Sequence, residues 1–120
     1  MPTIPPFMLN QLYVKGSLRD AGAGLQLSLH NNLAGATIVG LALRLDGAEV
    51  DPTRVRVQYE GAQTQASLIS EQQPIRFAMN TGVVLCVEGM AVPPGLHRIA
   101  VTPITRELGQ VTINAEDVLG

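Results

Sequence analysis

A chain of 120 residues with eight basic, ten acidic and four aromatic side chains fits one domain and leaves no room for a second hydrophobic core. The basic residues are scattered between Lys15 and Arg106, which excludes the clustered positive charge that nucleic-acid binding requires. Only 15% of the residues are charged, against about 25% in an average soluble domain, so we expect another chain to cover part of the surface.

The first predicted strands follow from an alternation of apolar and polar residues, the pattern of a half-buried strand. Residues 24–30 alternate in this way, with their leucines on one face. Residues 37–45 form the next predicted strand, whose odd-numbered positions from Val39 to Leu45 are expected to face inward. Asp46-Gly47 then predicts a tight turn, because both residues tolerate the backbone angles that a two-residue reversal needs.

The same alternation continues to the end of the chain. It predicts further strands over residues 54–59, 75–79, 83–87, 96–102 and 110–114. In the second of these, Met79 is expected to face inward with Ile75 and Phe77. Glu60-Gly61 and Pro93-Pro94-Gly95 predict turns, and Pro103 is expected to mark a sheet edge or a bulge because it has no backbone N–H.

These elements define the predicted fold class. Turn signals about every ten residues, without a helical pattern between them, predict an all-β antiparallel β-sandwich of seven to nine strands with immunoglobulin-like or related topology. The proline-rich start predicts an irregular N-terminal segment over residues 1–11, followed by a single sandwich domain over residues 12–120.

Localisation is predicted from the start of the chain and from its cysteine content. No basic and apolar leader opens the sequence, and no apolar run approaches the roughly 20 residues that a membrane helix needs. Cys86, the single cysteine, has no partner for an internal disulfide. We therefore expect a cytoplasmic protein that does not span a membrane.

The candidate metal ligands are His30 and His97 with Cys86 or Asp117, but no pair has the close spacing of a metal motif. We expect His97, directly after a turn, to be an ordinary hydrogen-bonding group. The apolar neighbours of Cys86 should raise the pKa of its thiol and keep it inert. The sequence predicts no metal and no cofactor in this chain.

The sequence contains no recognisable catalytic motif. No serine lies in a nucleophile elbow, and no glycine-rich loop opens a helix after a strand. Glu49 and Asp51 lie two residues apart, and we expect them to be solvated beside the Asp46-Gly47 turn. The sequence therefore predicts no catalytic residues in this chain.

Three segments carry a resemblance to a known family. They are Gly24-Leu25-Gln26-Leu27, Leu45-Asp46-Gly47-Ala48-Glu49-Val50 and Pro93-Pro94-Gly95-Leu96-His97. In order and spacing they resemble the small β subunit of bacterial C-glycoside deglycosidases, over about Leu12 to Thr105. The resemblance implies a β-sandwich that pairs with a larger barrel subunit. That partner would hold a divalent metal and cleave the carbon–carbon bond of 3-oxo-C-glycosides.

This resemblance leads to the first functional hypothesis, a non-catalytic accessory subunit that docks on and stabilises a larger lyase. The predicted interface is a loop and one neighbouring side chain, because loops carry recognition on a rigid scaffold. Its residues are His30, Asn31, Asn32, Leu33, Ile38 and Arg76. A charged residue at Leu33 or Ile38 is expected to break the assembly without unfolding the domain.

Two alternative hypotheses come from other classes of protein. The first is a homo-oligomeric small enzyme or ligand-binding protein, in which His30, Arg44 or Arg76 would line a pocket between identical copies. The second is a purely structural or adhesive sandwich module, which the absence of a secretion signal disfavours.

Overall fold

The computed structural model describes residues 4–22 and 24–119 and confirms an all-β antiparallel architecture. One short helix, α1, spans Pro6–Asn10. The strands are β1 Arg19–Asp20, β2 Gly24–His30, β3 Ala36–Leu45, β4 Ala48–Glu49, β5 Val55–Tyr59, β6 Ala62–Gln65, β7 Ile75–Phe77, β8 Gly82–Glu88, β9 Gly95–Thr105, β10 Gly109–Gln110 and β11 Ile113–Leu119. Single 3-10 turns cover Pro52–Arg54 and Ala66–Leu68. Eight of the described strands are longer than two residues, in agreement with the predicted number.

The strands form two antiparallel sheets. The first has the order β1-β2-β8-β5-β6. The second has the order β10-β9-β3-β4, with β11 also paired to β9 and β7 also paired to β3. Long β9 can hold both β10 and β11 on one side because they pair with different parts of it.

The core lies between the sheets and follows from the predicted alternation. Leu27 of β2 and Leu85 of β8 are register partners and are both fully buried, and Val57 of β5 pairs with Leu85 from the other side. Val101 of β9 faces them from the second sheet and is fully buried as well. Burial of each such side chain contributes about 1.5–3 kcal/mol relative to exposure.

Gly24 begins β2 at a point where the chain leaves no room for a side chain. A Cβ atom built there would lie 2.0 Å from the carbonyl oxygen of Val87, across the β2–β8 ladder. The close approach explains why glycine, which weakens a strand in most places, occupies this position.

The N-terminal segment differs from its prediction, because residues 6–10 form a helix instead of an irregular segment. Pro6 suits the first turn, where a helix has no use for the missing N–H. The Oδ1 of Asn10 accepts a hydrogen bond of 2.8 Å from the N–H of Asn114 in β11. Tyr13 then bridges to Leu29 of β2, so the N-terminal part of the chain connects β11 of the second sheet with β2 of the first.

A bulge in β3 changes the predicted alternation. The pairing with β9 shifts between Ile38 and Gly40, which inserts Val39 as an extra residue. Ile38 is therefore buried in the core, whereas Val39 is only half-buried, so the inward orientation predicted for Val39 is wrong. Pro103 lies within β9 itself, between the stretches that pair with β11 and β10, where its missing N–H breaks no ladder.

Three smaller differences concern the number and the ends of the strands. The last strand covers residues 113–119 instead of 110–114, and β6 was not predicted. Met79 is exposed instead of facing inward, because β7 ends at Phe77. In the described part of the chain no helix is long and apolar enough to cross a membrane.

Candidate docking surface at the loop end

The predicted interface residues lie at one end of the sandwich. Here the loop 31–35 connects β2 to β3, and the turn 78–81 connects β7 to β8. We call these two segments, with the flanking residues His30 and Arg76, the loop end. His30 comes last in β2, and Arg76 lies on β7 opposite the start of β3, so strand pairing brings both to this end.

Asn31 holds the two segments of the loop end together. Its backbone N–H donates to the carbonyl of Thr81 at 2.9 Å, and its carbonyl accepts from the N–H of Asn80 at 2.7 Å. Its Nδ2 donates to the carbonyls of Ala34 at 3.1 Å and Phe77 at 2.9 Å. Its Oδ1 accepts from the N–H of Leu33 at 2.9 Å, so the side chain satisfies three backbone groups.

The predicted interface residues divide by burial. His30, Asn32 and Arg76 are exposed, and Leu33 is half-buried against the core. Asn31 and Ile38 are only 2% and 5% exposed, so neither offers its side chain to a partner. We therefore expect a charge at Ile38 to destabilise the fold itself, so of the two predicted variants only the one at Leu33 can test the interface.

Met79 is the residue of the loop end that sequence reasoning placed wrongly. It is 55% exposed on the turn that Asn31 anchors. The sequence carries one signal for this position, because Asn80-Thr81-Gly82 predicts a turn that takes the preceding residue out of the strand.

An apolar void of about 50 Å³ lies behind the loop end, between the sheets. Leu33, Phe77 and Leu108 contribute to its lining, and its few polar groups include Asn31 and Thr105. Both are satisfied internally, since the Oγ1 of Thr105 donates to the carbonyl of Gly109 at 3.0 Å. A cavity that binds benzene measures about 150 Å³, so this void is a packing defect rather than a metabolite site.

A second group of polar residues lies on β9 and β11. His97 is buried, with its Nδ1 2.6 Å from the Oδ2 of Asp46 and its Nε2 2.7 Å from the carbonyl oxygen of Pro93. These two hydrogen bonds raise the pKa of His97. The backbone N–H of Arg98 and the His97 ring lower the pKa of Asp46. Both ring nitrogens are occupied, so His97 joins a turn, a loop and β9 as a structural group.

Asp117 is the register partner of His97 on β11 and is 5% exposed. Its Oδ2 accepts from the Tyr13 hydroxyl at 2.6 Å and from the N–H groups of Gly16 at 2.9 Å and Leu18 at 3.2 Å. Burial alone would raise the pKa of Asp117, but these hydrogen bonds outweigh it and lower that pKa. The carboxylate therefore fastens the N-terminal segment to β11.

The candidate metal ligands do not all gather in one place, although His97 and Asp117 are register partners. Among residues 4–22 and 24–119, no group of three or more His, Cys, Asp or Glu side chains is placed to hold a metal ion. Burial raises the pKa of the Cys86 thiol, as predicted, although Arg56 and Arg19 oppose the shift. Asp51 caps a 3-10 turn by accepting from the N–H of Thr53 at 3.0 Å.

Arg44 lies far from the loop end. It lies seven positions beyond Thr37, the register partner of Arg76, which corresponds to about 23 Å along β3. Together with Arg98 and Asn114, it borders an open depression of about 580 Å³ on the outer face of the second sheet. His30, Arg44 and Arg76 therefore do not share a site within one copy.

The architecture defines the chain as a two-sheet all-β domain, whose polar groups His97 and Asp117 fasten neighbouring segments. The family model of the hydroxymethylglutaryl-CoA reductase N-terminal domain matches residues 8–120, so the chain belongs to that family. No curated protein sequence matches it.

Among solved structures, a family 123 glycoside hydrolase from Clostridium perfringens is similar at 9% identity and a TM-score of 0.39. That similarity covers 81% of this chain and 21% of the hydrolase chain, so this chain spans about a fifth of that enzyme. Neither match concerns the small β subunit of C-glycoside deglycosidases, and that resemblance stays a prediction.

Proposed function

We propose that this chain is a non-catalytic β-sandwich module that docks through its loop end on a larger enzyme and stabilises it. The observation that carries the proposal is the exposure of Met79, 55%, on a turn that Asn31 fastens to the neighbouring loop. A turn that is already held by hydrogen bonds needs little further backbone ordering on binding, which favours its use to present an apolar side chain to a partner.

The polar surroundings of Met79 support this reading. His30, Asn32 and Arg76 are exposed at the same end, so an apolar centre would have a polar rim. Protein interfaces commonly combine a desolvated apolar centre with such a rim. The reactive side chains His97 and Asp117 are engaged in internal hydrogen bonds elsewhere, which supports a role without catalysis in this chain.

Two classes of larger enzyme fit the proposal. The family description supports a hydroxymethylglutaryl-CoA reductase, because it names the N-terminal domain of that enzyme. The resemblance of the turn segments supports a metal-dependent lyase that cleaves 3-oxo-C-glycosides. We place the reductase first, because the family match spans residues 8–120 whereas the resemblance depends on short segments. We infer a cytoplasmic location, where a lone thiol such as Cys86 stays reduced.

The test is binding of the purified chain to each enzyme, followed by light scattering and calorimetry. The probes are a reductase catalytic domain and the large subunit of a C-glycoside deglycosidase. We expect a complex with one of them, and we expect Met79→Lys to weaken it at least about tenfold, because the interface would desolvate the new charge.

Leu96→Lys is the matched control, because Leu96 is 61% exposed but lies at the other end of β9 from the loop end. It should bind as the unchanged chain does. Failure of both enzymes to bind, or equal binding by the two lysine variants, would argue against docking through the loop end.

A further inference from the structure

The outer edge of the first sheet carries strand β6, which ends the strand order of that sheet. The hairpin from β5 turns at Glu60 and Gly61, whose φ angles of 46° and 78° correspond to a type I′ turn. Tyr59 then faces Ala62 and Val57 faces Thr64. The backbone groups of Ala62 and Thr64 consequently bond to β5, and those of Gln63 and Gln65 point outward.

This edge lacks two of the features that usually prevent strand pairing. Natural edges are commonly protected by charged side chains or proline. Between Glu60 and Glu71 the sequence has no charged residue and no proline. Within the described residues, the backbone N–H groups of Gln63 and Gln65 have no hydrogen-bond acceptor, and both residues are exposed.

The spacing of these free groups fits a second copy of the same strand. In an antiparallel pair centred on Thr64, Gln63 of one copy faces Gln65 of the other, and the arrangement repeats by two-fold symmetry. Each Gln63–Gln65 pair exchanges two backbone hydrogen bonds, so both pairs use every outward donor of β6. On the exposed face, each pair sets one neutral amide side chain against another, and on the opposite face Thr64 meets Thr64.

We propose that two copies of this chain associate through β6, antiparallel about a two-fold axis at Thr64. The two five-stranded sheets then become one continuous sheet. The partner is a second copy rather than a different chain, because this register satisfies the same groups on both sides and opposes no like charges. The β6 edge is separate from the loop end, so a dimer formed through β6 is a second assembly besides the proposed docking on a larger enzyme.

The experiment is sedimentation velocity of the full chain over a concentration series, with four sequences compared. The unchanged chain should dimerise. Q63K/Q65K should raise the dimer dissociation constant about tenfold or more, because each symmetric pair then opposes two lysines. Q63K/Q65E should dimerise at least as well as the unchanged chain, because the same register now opposes lysine and glutamate.

Q72K/Q73K is the matched control, since it adds the same charge to exposed glutamines outside β6. It should dimerise like the unchanged chain. A chain that stays monomeric at every concentration would overturn the proposal, as would a dimer that Q63K/Q65K leaves intact. Loss of the dimer in Q63K/Q65E as well as in Q63K/Q65K would overturn the proposed register.

Discussion

At the loop end, the neutral amide of Asn31 joins a loop to a turn. At β9 and β11 the ionisable groups of His97 and Asp117, with Asp46 from the turn after β3, fasten their segments. We call the latter three residues the charged edge. Both regions solve one problem, since backbone N–H and C=O groups in loops need partners once water is excluded. In the described residues, no buried side-chain nitrogen or oxygen lacks a partner.

The two regions differ in how their hydrogen bonds respond to pH. An amide gives and accepts hydrogen bonds at any pH, so the loop end keeps its geometry across the titration range. Carboxylate and imidazole make stronger, charge-assisted bonds but depend on protonation. A neutral, pH-independent support suits the proposed presentation of Met79 to a partner.

Asp117→Ala should give the largest effect. It leaves the Tyr13 hydroxyl and the N–H groups of Gly16 and Leu18 without their acceptor, and hydrogen bonds to charged groups contribute about 1.5–3 kcal/mol each. We expect a loss of about 4 kcal/mol in the free energy of unfolding by urea titration. Glu116→Ala, at the exposed neighbouring position, should change it by less than about 0.5 kcal/mol, and equal losses would contradict the assigned role of Asp117.

Asn31→Leu should come next. It removes three side-chain hydrogen bonds and leaves the carbonyls of Ala34 and Phe77 without that donor. We expect a loss of about 2–3 kcal/mol in the free energy of unfolding, with faster amide exchange at Leu33. The exposed neighbour provides the comparison, since Asn32→Leu should leave stability within about 0.5 kcal/mol of the unchanged chain.

Tyr13→Phe should have a smaller effect than Asp117→Ala, because the two backbone donors to Asp117 remain. We expect a loss of about 1–2 kcal/mol in thermal or urea unfolding. Burial and the Asp117 hydrogen bond raise the pKa of Tyr13, so its phenol should resist ionisation in an alkaline absorbance titration. A Tyr13 that ionises as readily as a free tyrosine would contradict the buried contact.

The pH dependence should arise at the charged edge and have the smallest amplitude. The folded-state pKa of His97 is raised above 6.5, so its contribution is complete below pH 6.5 and is lost as pH rises through the folded-state value. The pKa values of Asp46 and Asp117 are lowered from 3.8, so their contributions are present above pH 3.8 and are lost as pH falls through the lowered values.

Melting temperature against pH therefore should decline on both sides of an interval from about pH 4 to 6.5. Asp46→Asn keeps an acceptor for the N–H of Arg98 but removes the charge beside His97, so it should flatten the alkaline decline. Asn31→Leu should lower the whole profile without changing its shape. A steeper alkaline decline in Asp46→Asn would contradict the assigned pairing.

Prediction from sequence worked where local alternation and turn chemistry decide the outcome. The strand 24–30 was predicted with its observed bounds, and Asp46-Gly47 and Glu60-Gly61 form the expected reversals. It failed where a distant strand sets the geometry, as with Val39 in the bulge opposite β9. Sequence patterns also located the loop end but did not predict which of its residues are buried. The burial of Asn31 depends on the carbonyl acceptors of Phe77 and Ala34, which only the folded chain brings close.

By itself, the sequence determined the fold class, the tight turns and the raised pKa of the Cys86 thiol. These follow from side-chain periodicity, backbone preferences and immediate neighbours. Tertiary structure decided which polar residues are anchors and which are surface. Asn31 and Asn32 are chemically identical neighbours, yet one is buried with its hydrogen bonds satisfied and the other is exposed. Only the pairing of segments far apart in sequence places acceptors beside one of them, and hydrogen bonds need those partners within about 3 Å.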